Sequence, residues 1–206
     1  MQGEKPNNMN QKETVDSLNE IQSMCNNVLI LYNAYAKGNQ ELTDLANITF
    51  NLLWNYAKSL IELKLLLYST SRFELDYAIW GLCVTINECT KKIIGYTTDN
   101  GKTRERRSWI NKMAKYITKH PELNNEYNSL KEEWISYADT TDMQMKIKEI
   151  RDIMTHGVDQ LDDFIILNNT STSNILKYVD KWGKIMWPTA NFVFTCFENE
   201  CKQEIN

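Results

Sequence analysis

Apolar residues recur at steps of three and four along most of the chain, the spacing of amphipathic helices. Val15, Leu18, Ile21, Cys25, Val28, Tyr32 and Tyr35 predict a first helix, stopped at Gly38. Leu42, Leu45, Leu52, Tyr56, Leu60, Leu63 and Leu67 predict a second over 41–69, with Leu53 and Trp54 widening its stripe. Ser71 and Glu74 have capping-box spacing and open a third helix. That helix carries Phe73, Tyr77, Trp80, Val84 and Ile94, ends near Gly95, and is apolar almost all round, as a central buried helix is. After the loop TTDNGK (97–102), a helix is expected from Thr103 to Thr118, burying Trp109, Met113, Tyr116 and Ile117. Pro121 suits the first position of a short helix that buries Leu123, Tyr127, Leu130 and Trp134. Thr141 to Ile166 reads as one helix with Met143, Ile147, Ile150, Met154, Val158, Leu161 and Ile165 on a single stripe. Past NNTSTSN (168–174), a last helix from Ile175 buries Leu176, Val179, Trp182 and Met186, and Pro188 should kink or restart it. Phe192, Phe194 and Cys196 alternate like a strand, but Phe194, Phe197 and Cys201 suit a helix, and a lone strand has no partner. The pattern predicts an all-α, antiparallel up-and-down bundle of six to seven helices. It forms one domain, 13–206, behind a disordered tail at 1–12.

Composition agrees with that reading. Gly and Pro are scarce, at seven and three, which disfavours an all-β fold. The five cysteines form no CxxC pair and suit reduced core thiols. The N-terminal MQGEKPNNMNQKE lacks the apolar run of a secretory signal, and no 18-residue apolar stretch occurs. The expectation is a cytoplasmic protein with no membrane span. A net charge of −4 excludes a chain that binds nucleic acid by charge over its whole surface.

Chemistry gathers on the 141–166 helix. Asp152, His156, Asp159 and Asp163 lie opposite its apolar stripe, and Arg151 lies at the flank. Asp152 and His156 are four apart, so the carboxylate can hold one imidazole nitrogen and favour the charged form. Arg151 offers a planar fork suited to phosphate. Arg151 and His156 are about 140° apart on an ideal helix, so one helix cannot close both on a small ligand. A solvated polar face with an incidental histidine accounts for the same residues.

Arg151-Asp152-x-x-x-His156, an Arg followed by a polar residue and then by His, resembles the R-x4-6-H signature of the HEPN superfamily of all-α proteins. The resemblance implies a metal-independent endoribonuclease that needs no cofactor. In such a protein two motif helices meet across a homodimer and form one composite cleft. It further implies that His156 transfers a proton, Arg151 stabilises phosphorane charge and Asp152 orients the pair. Other members of the superfamily keep the fold and only bind partners. The alternative is therefore a non-catalytic dimeric module for a nucleotide, an antitoxin or another protein.

RNA would meet repulsion from Glu149, Asp159, Asp162 and Asp163. Lys102, Arg104, Arg106, Arg107, Lys112, Lys115 and Lys119, against Glu105 alone, give residues 102–120 a charge of +6 and leave −10 elsewhere. With Trp109 and Tyr116 nearby, that strip is the candidate RNA grip. Equally, it can be a helix face paired to acidic neighbours. Asp152 and His156 also have two-ligand metal spacing, but His120 is the one other histidine, and no metal is expected. The six tryptophans read as core.

Overall fold

The computed structural model describes residues 11–95, 108–138, 141–156 and 172–204. They form α1 (Gln11–Leu31), extended by a π turn at Tyr32–Ala36, then α2 (Gln40–Tyr68) and α3 (Arg72–Ile94). α4 (Trp109–Ile117) follows, then a 3-10 turn at Pro121–Leu123 that leads into α5 (Asn124–Ala138). α6 (Thr141–His156) and α7 (Thr172–Gln203) complete the described chain, which contains no strand. α2 packs against α1, α3 and α7, while α3 also carries α4, α5 and α6.

The ends form where the chain's own chemistry puts them. Gly38 takes φ 98° and Gly95 takes φ 88°, left-handed values that suit a residue without Cβ. The Asn39 side chain accepts from the Glu41 and Leu42 amides and starts α2. At the head of α3 the capping box closes: the Glu74 amide donates to Ser71 Oγ at 3.2 Å, and the Ser71 amide donates to Glu74 Oε2 at 3.0 Å. Backbone donation from Thr70 and Ser71 holds the Glu74 carboxyl below its usual range. Ser108 is extended, and its hydroxyl accepts from the Asn111 amide, so α4 begins at Trp109; residues 103–107 of the predicted helix lie outside the described residues.

The core follows the predicted stripes in most places. Ile21, Cys25 and Val28 of α1, Leu42, Leu45, Leu52, Leu53 and Leu60 of α2, and Ile147 and Ile150 of α6 are buried. α7 runs through Pro188 without interruption and buries Phe192, Phe194, Phe197 and Cys201. Thr189, one residue on, accepts from Trp134 Nε1 at 2.9 Å and donates to the Ile185 carbonyl, so its hydroxyl is satisfied inside the core. All five cysteines are free and buried. Burial is the first cause that pushes the Cys83, Cys89 and Cys196 thiols up to about 12.

α3 departs from expectation. Its deeply buried side is Ala78, Leu82, Cys83, Ile86, Cys89 and Ile93, whereas Phe73 is 86% exposed and Tyr77 57%. Trp54 on α2 is also 60% exposed, stacked on Phe50 at 6.0 Å. α2 and α3 join through three residues, so they lie antiparallel. Glu62 reaches across that seam to Thr85 and occupies the space over Gly81. On helical wheels fixed at that contact, Ile61 and Tyr68 of α2 fall on the same side of the hairpin as Phe73 and Tyr77 of α3. The hairpin thus bears an exposed, largely aromatic face.

Candidate functional site

α6 lies against α3 because Ile147 and Ile150 are driven into the core. This packing sets Arg151 at the edge of the contact, its side chain 18% exposed. The long stem folds back so that Nη1 meets Asp152 Oδ1 at 2.9 Å. Nε is 3.9 Å from Glu88 Oε1 on α3, outside hydrogen-bond range. It is buried and has no hydrogen-bond partner. Glu88 in turn pairs with Lys91 at 3.1 Å. Arg151 is therefore an oriented guanidinium between two carboxylates, with its Nε buried on the Glu88 side.

Asp152 shares a helix with His156, as the spacing requires, but its Oδ1 lies on Arg151. His156 is the last described residue of α6, and its imidazole lies outside the described side chains. Residues 157–166, with Asp159, Asp162 and Asp163, lie outside the described residues, as do Lys102, Arg104, Arg106 and Arg107. Of the described part of the basic strip, Lys112 Nζ pairs with Asp44 Oδ1 at 2.8 Å and Lys119 Nζ with Glu41 Oε2 at 2.5 Å, both carboxylates on α2. Lys115 is exposed. No three His, Cys, Asp or Glu side chains among the described residues are grouped to hold a metal ion. No helix among them is long and apolar enough to cross a membrane.

Two arrangements carried no sequence signal. One is Glu88, far from Arg151 in the chain and brought to it only by the α3–α6 packing. The other joins α4 to α7. Tyr116 donates to Glu200 Oε1 at 3.0 Å, His120 Nε2 lies 3.3 Å from that same oxygen, and the His120 ring stacks on Tyr116 at 4.3 Å. Glu122 lies 3.5 Å from His120 Nδ1. Burial, then neighbouring Cys196 and Glu200, raises the Tyr116 hydroxyl above its ordinary range. His120 here is a bridge between helices.

Comparison with family models, curated proteins and solved structures finds no match to this chain.

Proposed function

We propose that the chain is a HEPN-like, metal-independent endoribonuclease that acts as a homodimer. The observation that carries the reading is the Arg151–Asp152 pair, 2.9 Å apart on the same helix that bears His156. In the proposed reaction the RNA 2′-hydroxyl attacks the adjacent phosphorus as His156 takes its proton. The bond from phosphorus to the 5′-oxygen breaks, and that oxygen is protonated as it leaves. Arg151 stabilises the charge on the phosphorane oxygens. The products are a 2′,3′-cyclic phosphate and a 5′-hydroxyl end. Lys112, Lys115 and the 102–107 segment would hold the RNA backbone, with Lys112 exchanging Asp44 for phosphate.

The second copy is assigned to the aromatic face of the α2–α3 hairpin. Val84 lies on the stripe of Phe73 and Tyr77, one turn before Glu88, so the face continues toward the Arg151 cluster. A twofold axis that lays α2 on the partner's α3 would bring the two aromatic faces together.

A cleavage assay on total RNA tests the reaction. His156→Ala should abolish cleavage, since acid–base help is worth about 10²–10⁴-fold. Arg151→Ala should cost about 10²–10³-fold, and chelator should change nothing. If wild type and His156→Ala behave alike, the enzyme reading fails.

One observation favours the alternative of a non-catalytic dimeric module for a protein or nucleotide partner. Arg151, Lys112 and Lys119 all face carboxylates of the same chain, with which phosphate must compete. That reading forecasts no cleavage of any RNA and an effect of the same substitutions on association alone.

A further inference from the structure

A groove of about 230 Å³ lies between α2, the C-terminal end of α3 and the start of α4. It is smaller than the roughly 300–1,000 Å³ of sites that enclose a drug-sized molecule, and it suits one flat ring system. Its floor is apolar: Leu52, Cys89, Ile93 and Trp109 line it and are all buried. Its rim is polar. Asn47, Asn51 and Asn55 line it at successive turns of α2, and Lys92 and Lys112 line it from α3 and α4.

The rim offers paired donors and acceptors. Asn51 Nδ2 donates to the Asn47 carbonyl at 2.8 Å, and Asn55 Nδ2 donates to the Asn51 carbonyl at 2.6 Å. These bonds lay the two carboxamides along the helix. Each uses one N–H and leaves the other, together with Oδ1, for a ligand. Asn47 and Asn51 are exposed, so this edge is open. An acceptor and a donor side by side are what the N6 amino group and N7 of adenine pair with.

The rim also carries charge. Lys92 is exposed and pairs with no carboxylate among the described residues; Glu88, one turn back, takes Lys91 instead. Lys112 shares its charge with Asp44 at 2.8 Å. Lys92 is therefore available to a phosphate. Beside the rim, Trp54 lies one turn from Asn51 on α2 and is 60% exposed, a face on which a second base can stack. It is seven residues from Ile61, about 10 Å along the helix, and so beyond the four side chains assigned to the partner copy.

We propose that this groove binds an adenine nucleotide. The ring rests on Leu52 and Ile93, its N6 and N7 edge pairs with Asn51, and its phosphate meets Lys92. The nucleotide is a residue of single-stranded RNA or a free mononucleotide, and the RNA source rests on the ribonuclease reading. Lys92 is one turn from Glu88, and Glu88 lies 3.9 Å from Arg151, so one strand can span both.

The test is isothermal titration of the full chain with adenosine 5′-monophosphate (AMP), uridine 5′-monophosphate (UMP), adenosine and 2′-O-methyl pentaadenylate. None can be cleaved by 2′-hydroxyl attack: the first three lack a phosphodiester bond, and the last lacks the hydroxyl. AMP should bind saturably and about tenfold more tightly than UMP, the discrimination of one bidentate pair. Lys92→Ala should weaken AMP about tenfold and leave adenosine unchanged. Asn51→Ala combined with Asn55→Ala should erase the preference for AMP over UMP with helical circular dichroism retained, since alanine is the better helix former. If pentaadenylate binds more tightly than AMP and Trp54→Ala removes that gain, RNA is the source; equal affinities make it the free nucleotide. The inference is overturned if AMP gives no saturable heat at about 1 mM, if UMP binds as tightly, if the double alanine variant keeps the preference, or if Lys92→Ala leaves AMP binding unchanged. A chain that cleaves RNA but binds no AMP loses this site alone. One that binds AMP but cleaves nothing keeps the site and loses the reaction.

Discussion

At the scale of single residues, Glu62 shows how a buried carboxylate behaves between helices. It is 8% exposed, accepts from the Thr85 hydroxyl at 3.2 Å, and leaves Oε2 without a partner. Lys58, at 3.7 Å and half exposed, compensates only in part. Desolvation raises the Glu62 carboxyl above its ordinary value of 4.5. The folded state therefore holds this proton more tightly than the unfolded chain does. The contribution to stability is fully present below 4.5 and is lost as pH rises through the folded value. Glu62→Gln keeps an acceptor for Thr85 and removes the titration. Its melting temperature should match wild type near pH 4 and exceed it at pH 7.5. A wild type more stable than the variant at pH 7.5 would show that the ionised carboxylate helps the fold.

At the scale of elements, the caps fix where helices start, and packing fixes what they bury. At the head of α3 the Ser71 hydroxyl accepts from the Glu74 amide, while the Glu74 carboxylate accepts from the Ser71 amide. Ser71→Ala should cost about 1 kcal/mol, read as a lower urea midpoint with an unchanged slope. No change in midpoint would mean that the turn before α3 is held by tertiary contacts alone. The face of α3 chosen for burial is a different matter. Its apolar residues lie nearly all round, so periodicity names no single buried side. α4, α5, α6 and α7 all pack on it and select Leu82, Ile86 and Cys89, leaving Phe73 and Tyr77 outside.

At the scale of the whole molecule, that exposed face carries the forecast of assembly. Ile61, Tyr68, Phe73 and Tyr77 are each at least 49% exposed. Side chains of this size offer roughly 100 Å² apiece at that exposure, so a pair of copies would bury about 800–1,000 Å² through them. That is the scale of a weak dimer, with association at micromolar concentration. Sedimentation should give a species of twice 24.2 kDa that dissociates on dilution. Phe73→Glu combined with Tyr77→Glu should give a monomer of unchanged helical content. A wild type that stays monomeric at 100 µM, as an order of magnitude for such an interface, removes both the dimer and the composite site.

What the chain settled alone is what local chemistry can settle. Helix periods, the glycine stops at Gly38 and Gly95, the Ser71 box and Pro121 at a helix start each depend on residues within a few positions of one another. The spacing pointed Asp152 at His156, whereas Asp152 Oδ1 lies 2.9 Å from Arg151 Nη1. Tertiary structure decided the rest. Glu88 beside Arg151, Asp44 beside Lys112, Glu200 joining Tyr116 to His120, and the groove between Asn51 and Lys92 all join separate helices. No spacing rule relates their positions, because which helix faces meet depends on how every apolar stripe is buried at once.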